Sequence, residues 1–232
     1  MNADAPTPMN SFLRFQTRHA GAFTLIELLV VIAVIGVLAA LILPVGAALR
    51  NKATKSKAQA ELQQTAFAID AYKEKLGFYP PENPYITTNT LYYELLGTEL
   101  KGNTLVTLDG SSGITPAGVR TVFFPTSPGS TSGFANSTRP GSVDDAPAAK
   151  AFLSQLRPTQ WGEFVKNGIP FRLLTCSVRW KPDDSINPWH YRAASATNNP
   201  GGFDLWVNVL IGGKTNRISN WSKLPQIVND TY

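Results

Sequence analysis

Glu27 presents the clearest chemical problem in this 232-residue chain. It is the one charged side chain in an apolar run that begins at Phe23 and reaches Leu49. An acidic side chain at the centre of a membrane helix costs about 2.5–3.5 kcal/mol on insertion scales. Such a carboxylate is expected to have a partner that relieves its charge. The sequence therefore predicts a pairing role for Glu27.

The chain has few histidine and cysteine residues that could serve in catalysis or metal binding. Beyond the N-terminal region the only histidine is His190, so a two-histidine zinc motif is excluded there and a Ser-His-Asp triad would have to use His190. We expect it to be a half-buried strand histidine. The single cysteine, Cys176, cannot form an intramolecular disulfide, and its apolar surroundings indicate a buried side chain.

Two possible ligand loops lie in the C-terminal part. Asp204 lies in a strand-like segment, but the following Asn208–Gly213 stretch has no further aspartate, whereas calcium needs six to eight oxygen ligands. The end of that stretch, with Lys214 and Thr215, matches only part of a phosphate-binding loop and predicts a hairpin turn instead. We expect neither a metal nor a cofactor.

Aromatic residues and net charge do not favour a nucleic-acid surface. All five tryptophans lie in the C-terminal half, where we expect them to fill the core beneath a small sheet and not to form a stacking platform. The net charge of +5 is too small to indicate a nucleic-acid partner by itself.

The elements that would carry these residues follow from periodicity. Apolar residues recur at spacings of three and four from Ala58 to Leu76, and Gly77 then ends the pattern, so a helix is predicted over about 24–76. The 97–148 region is rich in turn residues. The remaining predicted elements are a short helix at 91–96, a strand at 119–124, and a C-terminal sheet within 169–221 with strands at 169–176, 189–194 and 203–211.

The segment Ala22-Phe23-Thr24-Leu25-Ile26-Glu27 and the apolar residues after it closely resemble the processing and methylation signal of type IV pilins and type II secretion pseudopilins. The resemblance implies cleavage between Ala22 and Phe23, followed by methylation of the new amine. Cleavage between Gly21 and Ala22 remains the alternative, because the family normally has Gly before the cut.

The same resemblance assigns roles within the apolar helix. It implies that Glu27 meets the N-terminal ammonium of a neighbouring subunit, and that the helix between Gly36 and Pro44 can lose order on assembly. Proline removes one helical hydrogen bond and glycine weakens a helix, which agrees with this role.

The implied architecture is α+β and pilin-like, with a long N-terminal helix whose first half spans the membrane and which packs on a small C-terminal antiparallel sheet. Weaker similarity to the family continues in Asn187-Pro188-Trp189 and Phe203-Asp204-Leu205. The domain boundaries are a leader at 1–22, a transmembrane or filament-core helix at 23–49, and a periplasmic domain at 50–232 that begins with the second half of the helix at 50–76.

The expected function is that of a type II secretion pseudopilin, which is a structural subunit without catalytic activity. It would be anchored in the inner membrane by one helix, with its C-terminal domain in the periplasm. Its partners would be further copies, other pseudopilins, prepilin peptidase, the inner-membrane secretion platform and membrane lipid, with no nucleic acid. The alternatives are a type IV pilus subunit used in adhesion or DNA uptake, and a membrane-anchored periplasmic enzyme.

One charge pattern opposes this orientation. Arg14 and Arg18 precede the apolar run, but four cations follow it within eight residues: Arg50, Lys52, Lys55 and Lys57. The rule that cytoplasmic flanks are the more basic would place the C-terminal domain in the cytoplasm. The processing motif implies the opposite orientation, and we follow the motif because a dedicated peptidase reads the leader.

Overall fold

The computed structural model describes residues 23–83, 88–125, 133–138, 148–180 and 186–229, and side chains at 41–45 are not described. The predicted leader, including Ala22, lies outside these ranges. The chain divides into two compact units, residues 1–46 and 47–232.

The elements alternate irregularly along the chain. The helices are α1 (Leu25–Leu76), α2 (Leu91–Leu96) and α3 (Pro116–Phe123). The strands are β1 (Thr98–Lys101), β2 (Thr104–Thr107), β3 (Gly113–Ile114), β4 (Ser137–Thr138), β5 (Trp161–Lys166), β6 (Ile169–Cys176), β7 (Asn187–Pro188), β8 (His190–Arg192), β9 (Asp204–Ile211), β10 (Lys214–Ser219) and β11 (Ser222–Ile227).

The second part of α1 supplies one wall of the core in the larger unit. Ala58, Leu62, Ile69 and Tyr72 are at most 6% exposed, which confirms the helical face that the spacing predicted. These side chains belong to one continuous cluster with α2, α3 and the inner faces of the strands. The α+β class with a long N-terminal helix is therefore confirmed.

Three sheets are present among the described residues. Their strand orders are β3-β2-β1-β4, β5-β6-β7 and β11-β10-β9-β8, and every pairing is antiparallel except that of β1 with β4. The sequence placed one sheet within 169–221. The structure extends the strands at both ends of that range and adds a sheet in the region interpreted as turns.

The predicted strand at 119–124 is wrong, because this segment lies in α3. The Oγ1 of Thr115 accepts a hydrogen bond from the Gly118 N–H at 3.1 Å, and Pro116 occupies the first helical position. A threonine cap followed by proline is a known helix start. The apolar run Val119–Phe124 was therefore assigned to the wrong period, since Val119, Val122 and Phe123 form a buried helix face.

The Gly212-Gly213 pair forms the connection between β9 and β10. Both glycines have positive φ, 59° and 77°, as both central residues of a type I′ two-residue hairpin turn require. Strand β10 and not a helix follows them. The hairpin prediction is confirmed, and the segment lacks the helix that a phosphate-binding loop needs.

Candidate functional site

Glu27 lies in the first turn of α1 and forms a hydrogen-bonded pair with Thr24. Its Oε2 accepts from the Thr24 backbone N–H at 2.9 Å and from the Thr24 hydroxyl at 2.8 Å. In return the Thr24 Oγ1 accepts from the Glu27 N–H at 3.3 Å. This reciprocal arrangement is a capping box, which satisfies N–H groups that the helix itself leaves unpaired.

The capping box was missed in the sequence, although Thr24 followed three residues later by Glu27 is its signature. Only one carboxylate oxygen takes part in it. Within the described residues Oε1 has no hydrogen bond, so the carboxylate can hold the cap and still meet a second donor. The structure thus places Glu27 and Phe23 at the start of the helix, and Phe23 is 79% exposed.

The first part of α1 presents apolar side chains on all sides. From Leu25 to Leu38 its large apolar residues are between 47% and 82% exposed. Gly36 lies among them, and a Cβ added there would meet no atom within 4 Å. A surface of this kind marks a site of interaction with apolar material.

Pro44 lies within the continuous helix α1, which does not end or divide at that position. The roles of Gly36 and Pro44 in assembly therefore stay predictions. Among the residues described, which omit the side chains at 41–45, no helix is long and apolar enough to cross a membrane.

Two buried carboxylates attach the second part of α1 to the other elements of the larger unit. Glu61, 3% exposed, accepts hydrogen bonds from the backbone N–H of Ser177 at 2.8 Å and from the Ser177 hydroxyl. This contact ties the helix to the end of β6.

Glu94 on α2 forms the other attachment. Its carboxylate accepts hydrogen bonds from the Tyr72 hydroxyl at 2.9 Å and from the backbone N–H groups of Ala135 at 2.8 Å and Asn136 at 2.9 Å. Burial raises the pKa of Glu94 above its ordinary value, and the three donors oppose that rise. The helix α1 is thereby linked to the segment that precedes β4.

The Asp204 side chain forms hydrogen bonds with the loop that precedes its own strand. Its carboxylate accepts hydrogen bonds from the backbone N–H groups of Thr197, Asn198 and Asn199 at 2.9–3.0 Å. Burial would raise the pKa of Asp204, but these donors outweigh it and hold the pKa below its ordinary value. Within the described ranges, no group of three or more His, Cys, Asp or Glu side chains could hold a metal ion.

The histidine and cysteine predictions agree with the structure. His190 is half-buried on β8 and stacks on Trp206 with ring centroids 5.0 Å apart. Cys176 is 4% exposed at the end of β6, and burial raises the pKa of its thiol. A protonated, buried thiol is unreactive.

The expectation that the tryptophans fill the core is wrong for most of them. Trp189 is buried at 1% exposure, whereas the other four are half-buried. Trp206 and Trp221 make an edge contact at 5.7 Å, and Trp161 lies 3.9 Å from the Arg172 guanidinium. Cation and aromatic partners stabilise these positions at the surface, which an apolar pattern does not reveal.

The exposed apolar helix begins with a threonine–glutamate cap directly after Phe23. A profile of the prokaryotic N-terminal methylation motif matches residues 17–43, which include Ala22, Phe23 and Glu27. This match agrees with the resemblance that the residues from Ala22 to Glu27 indicated.

Two curated proteins are similar to part of the chain. The type II secretion system core protein G of Escherichia coli (strain K12) is 43% identical over 61 residues, which are 26% of this chain and 42% of that protein. The protein of the same name from Pseudomonas aeruginosa is 37% identical over 65 residues, 28% of this chain and 46% of that protein. The chain thus matches less than half the length of these relatives. No solved structure matches it.

Proposed function

We propose that this chain is a structural subunit of a type II secretion pseudopilus. The observation that carries the proposal is the capped start of α1 within a matched methylation motif, followed by an exposed apolar helix. Both curated relatives are named as type II secretion proteins, which favours secretion over a type IV pilus.

In this proposal the leader is removed between Ala22 and Phe23 and the new amine is methylated by prepilin peptidase. Before assembly the apolar run through Leu49 anchors the chain in the inner membrane, and the larger unit lies in the periplasm. The chain then joins further copies and other pseudopilins at the secretion platform. This role is structural, because the subunit supplies packing surface for its neighbours.

The carboxylate of Glu27 has two tasks in this scheme. One oxygen holds the capping box with Thr24, and the other is open to the N-terminal ammonium of a neighbouring copy. Each charge alone is costly in an apolar environment, and together they relieve one another. A copy in the wrong register would leave both unpaired, so the pairing selects the register.

The two tasks can be separated by substitution. Glutamine also serves at the third position of a capping box, so Glu27→Gln keeps the cap and removes the charge. We expect the Glu27→Gln protein to be processed but to be lost from filaments, measured by shearing filaments from cells that carry the cognate secretion system.

The matched control is Glu74→Gln, which removes an exposed acid from the other end of the same helix. It should enter filaments as the unchanged protein does. Thr24→Ala, which keeps the Glu27 charge, should also enter filaments. If Glu27→Gln enters filaments at the unchanged level, the charge-pairing role is wrong.

A further inference from the structure

Four cations on α1 are not explained by the proposed assembly of the helix. Arg50, Lys52, Lys55 and Lys57, here called the basic collar, follow the apolar run directly, and no acidic residue lies between Glu27 and Glu61. Three of the four are exposed and Lys55 is half-buried. They also oppose the usual charge distribution across a membrane.

The collar has no anionic partner within the described part of the chain. The two ion pairs found there, Lys101 with Glu99 and Arg172 with Glu163, do not involve it. Glu61, one turn beyond Lys57, is already engaged by Ser177. Four positive charges within two helical turns repel one another, so an external anion would stabilise this segment.

The placement of the collar around the helix indicates the kind of partner. At 3.6 residues per turn, Arg50 and Lys57 lie within about 20° of each other, while Lys52 and Lys55 lie on the opposite side. A protein docked on one side of α1 would contact only half of these cations. A layer of anions surrounding the helix would reach all of them.

The depth of the collar agrees with such a layer. From Arg50 to Lys57 the helix rises about 10 Å, and the polar headgroup zone on one side of a bilayer is about 5–8 Å thick. Long basic side chains can adjust their reach by extending toward the interface. The uncharged stretch Leu28–Leu49 is about 33 Å long as a helix, close to the roughly 30 Å hydrocarbon thickness.

We propose that the basic collar binds anionic phospholipid headgroups where α1 leaves the bilayer, before the subunit enters a filament. This rests on the proposed membrane-anchored state. A polybasic segment beside a membrane helix is attracted to anionic lipid, which strengthens its association with the membrane about fivefold for each cation close to the surface. The collar would set the depth of the helix and hold the larger unit at the membrane surface.

Lipid selectivity of the full chain in vesicles tests this directly. The probes are spin-labelled phosphatidylglycerol and spin-labelled phosphatidylcholine in phosphatidylcholine vesicles, and the measurement is their relative association with the protein. We expect phosphatidylglycerol to be preferred severalfold at low salt and the preference to shrink in about 1 M salt. Changing all four collar residues to glutamine should bring the ratio close to one.

The matched control removes four exposed lysines elsewhere: Lys75, Lys150, Lys214 and Lys223. This variant has the same net charge as the collar variant and should keep the preference. Equal loss in both variants would show general charge attraction and overturn the proposal. An unchanged ratio in the collar variant, with fewer copy-to-copy crosslinks in filaments, would overturn it in favour of a second copy as the partner.

The experiments distinguish a failure of the lipid-binding proposal from a failure of the proposed function. If the unchanged chain shows no lipid preference but is still processed and enters filaments, the collar proposal fails alone. If the chain does not enter vesicles and is not found in membranes, both fail.

Discussion

At the scale of single residues, buried carboxylates connect α1 to the rest of the larger unit. The helical pattern gave Glu61 no role, and Glu94 lay in a short predicted helix without an assigned partner. Besides the hydroxyls of Ser177 and Tyr72, their partners include backbone N–H groups of Ser177, Ala135 and Asn136, which are distant along the chain. Side-chain patterns carry no information on such backbone donors, so these contacts could not have been predicted.

The raised pKa of Glu94 makes the stability of the larger unit depend on pH. Because the folded state holds the proton more tightly than the unfolded chain, this group favours folding at low pH. Its contribution is lost as the pH rises above the ordinary glutamate value of 4.5 and through the raised folded value. We expect the urea midpoint, followed by tryptophan fluorescence in detergent, to fall as the pH rises above the ordinary glutamate value of 4.5.

Glu94→Gln should remove most of that fall, whereas Glu74→Gln at an exposed position should keep it. The lowered pKa of Asp204 acts in the opposite sense, since its stabilisation is lost as the pH falls below the ordinary aspartate value. The two effects therefore occupy different pH ranges. An equal pH dependence in the Glu94→Gln and unchanged proteins would show that Glu94 does not control the stability in this pH range.

At the scale of elements, local signals predicted some segments and long-range pairing decided others. The bounds of α2 and β6 agree with the predicted 91–96 and 169–176, because each is a dense apolar segment with clear turn residues around it. The mixed sheet of β1–β4 was missed, since β4 has two residues and pairs with β1 from almost forty residues away. Such short strands depend on partners and not on their own pattern.

The hairpin between β9 and β10 gives a test at this scale. Gly213 has a φ of 77°, and a Cβ added there would meet no atom within 4 Å, so a side chain would be strained by the backbone alone. We expect Gly213→Val to lower the free energy of unfolding by about 1–2 kcal/mol, and Gly213→Asn by less, because asparagine tolerates this conformation. Equal effects measured by urea unfolding would show that the turn has rearranged.

At the scale of the molecule, the sequence predicts the N-terminal signal better than it predicts the fold of the larger unit. The N-terminal signal was readable because its chemistry is local: a small residue, an aromatic residue and a glutamate lie within six positions. The larger unit has no matching solved structure, and the chain is similar to the curated relatives over only part of its length. The three sheets depend on contacts that a single sequence does not display.

The most direct test of the central claim is the mass of the mature N-terminus, measured on protein taken from its native membrane. We expect a chain that begins at Phe23 and carries one methyl group on its amine. A chain beginning at Ala22 would keep the processing pathway and move the bond by one residue. An unprocessed chain beginning at Met1, or one cut after Leu49, would contradict the assignment of this protein as a processed filament subunit.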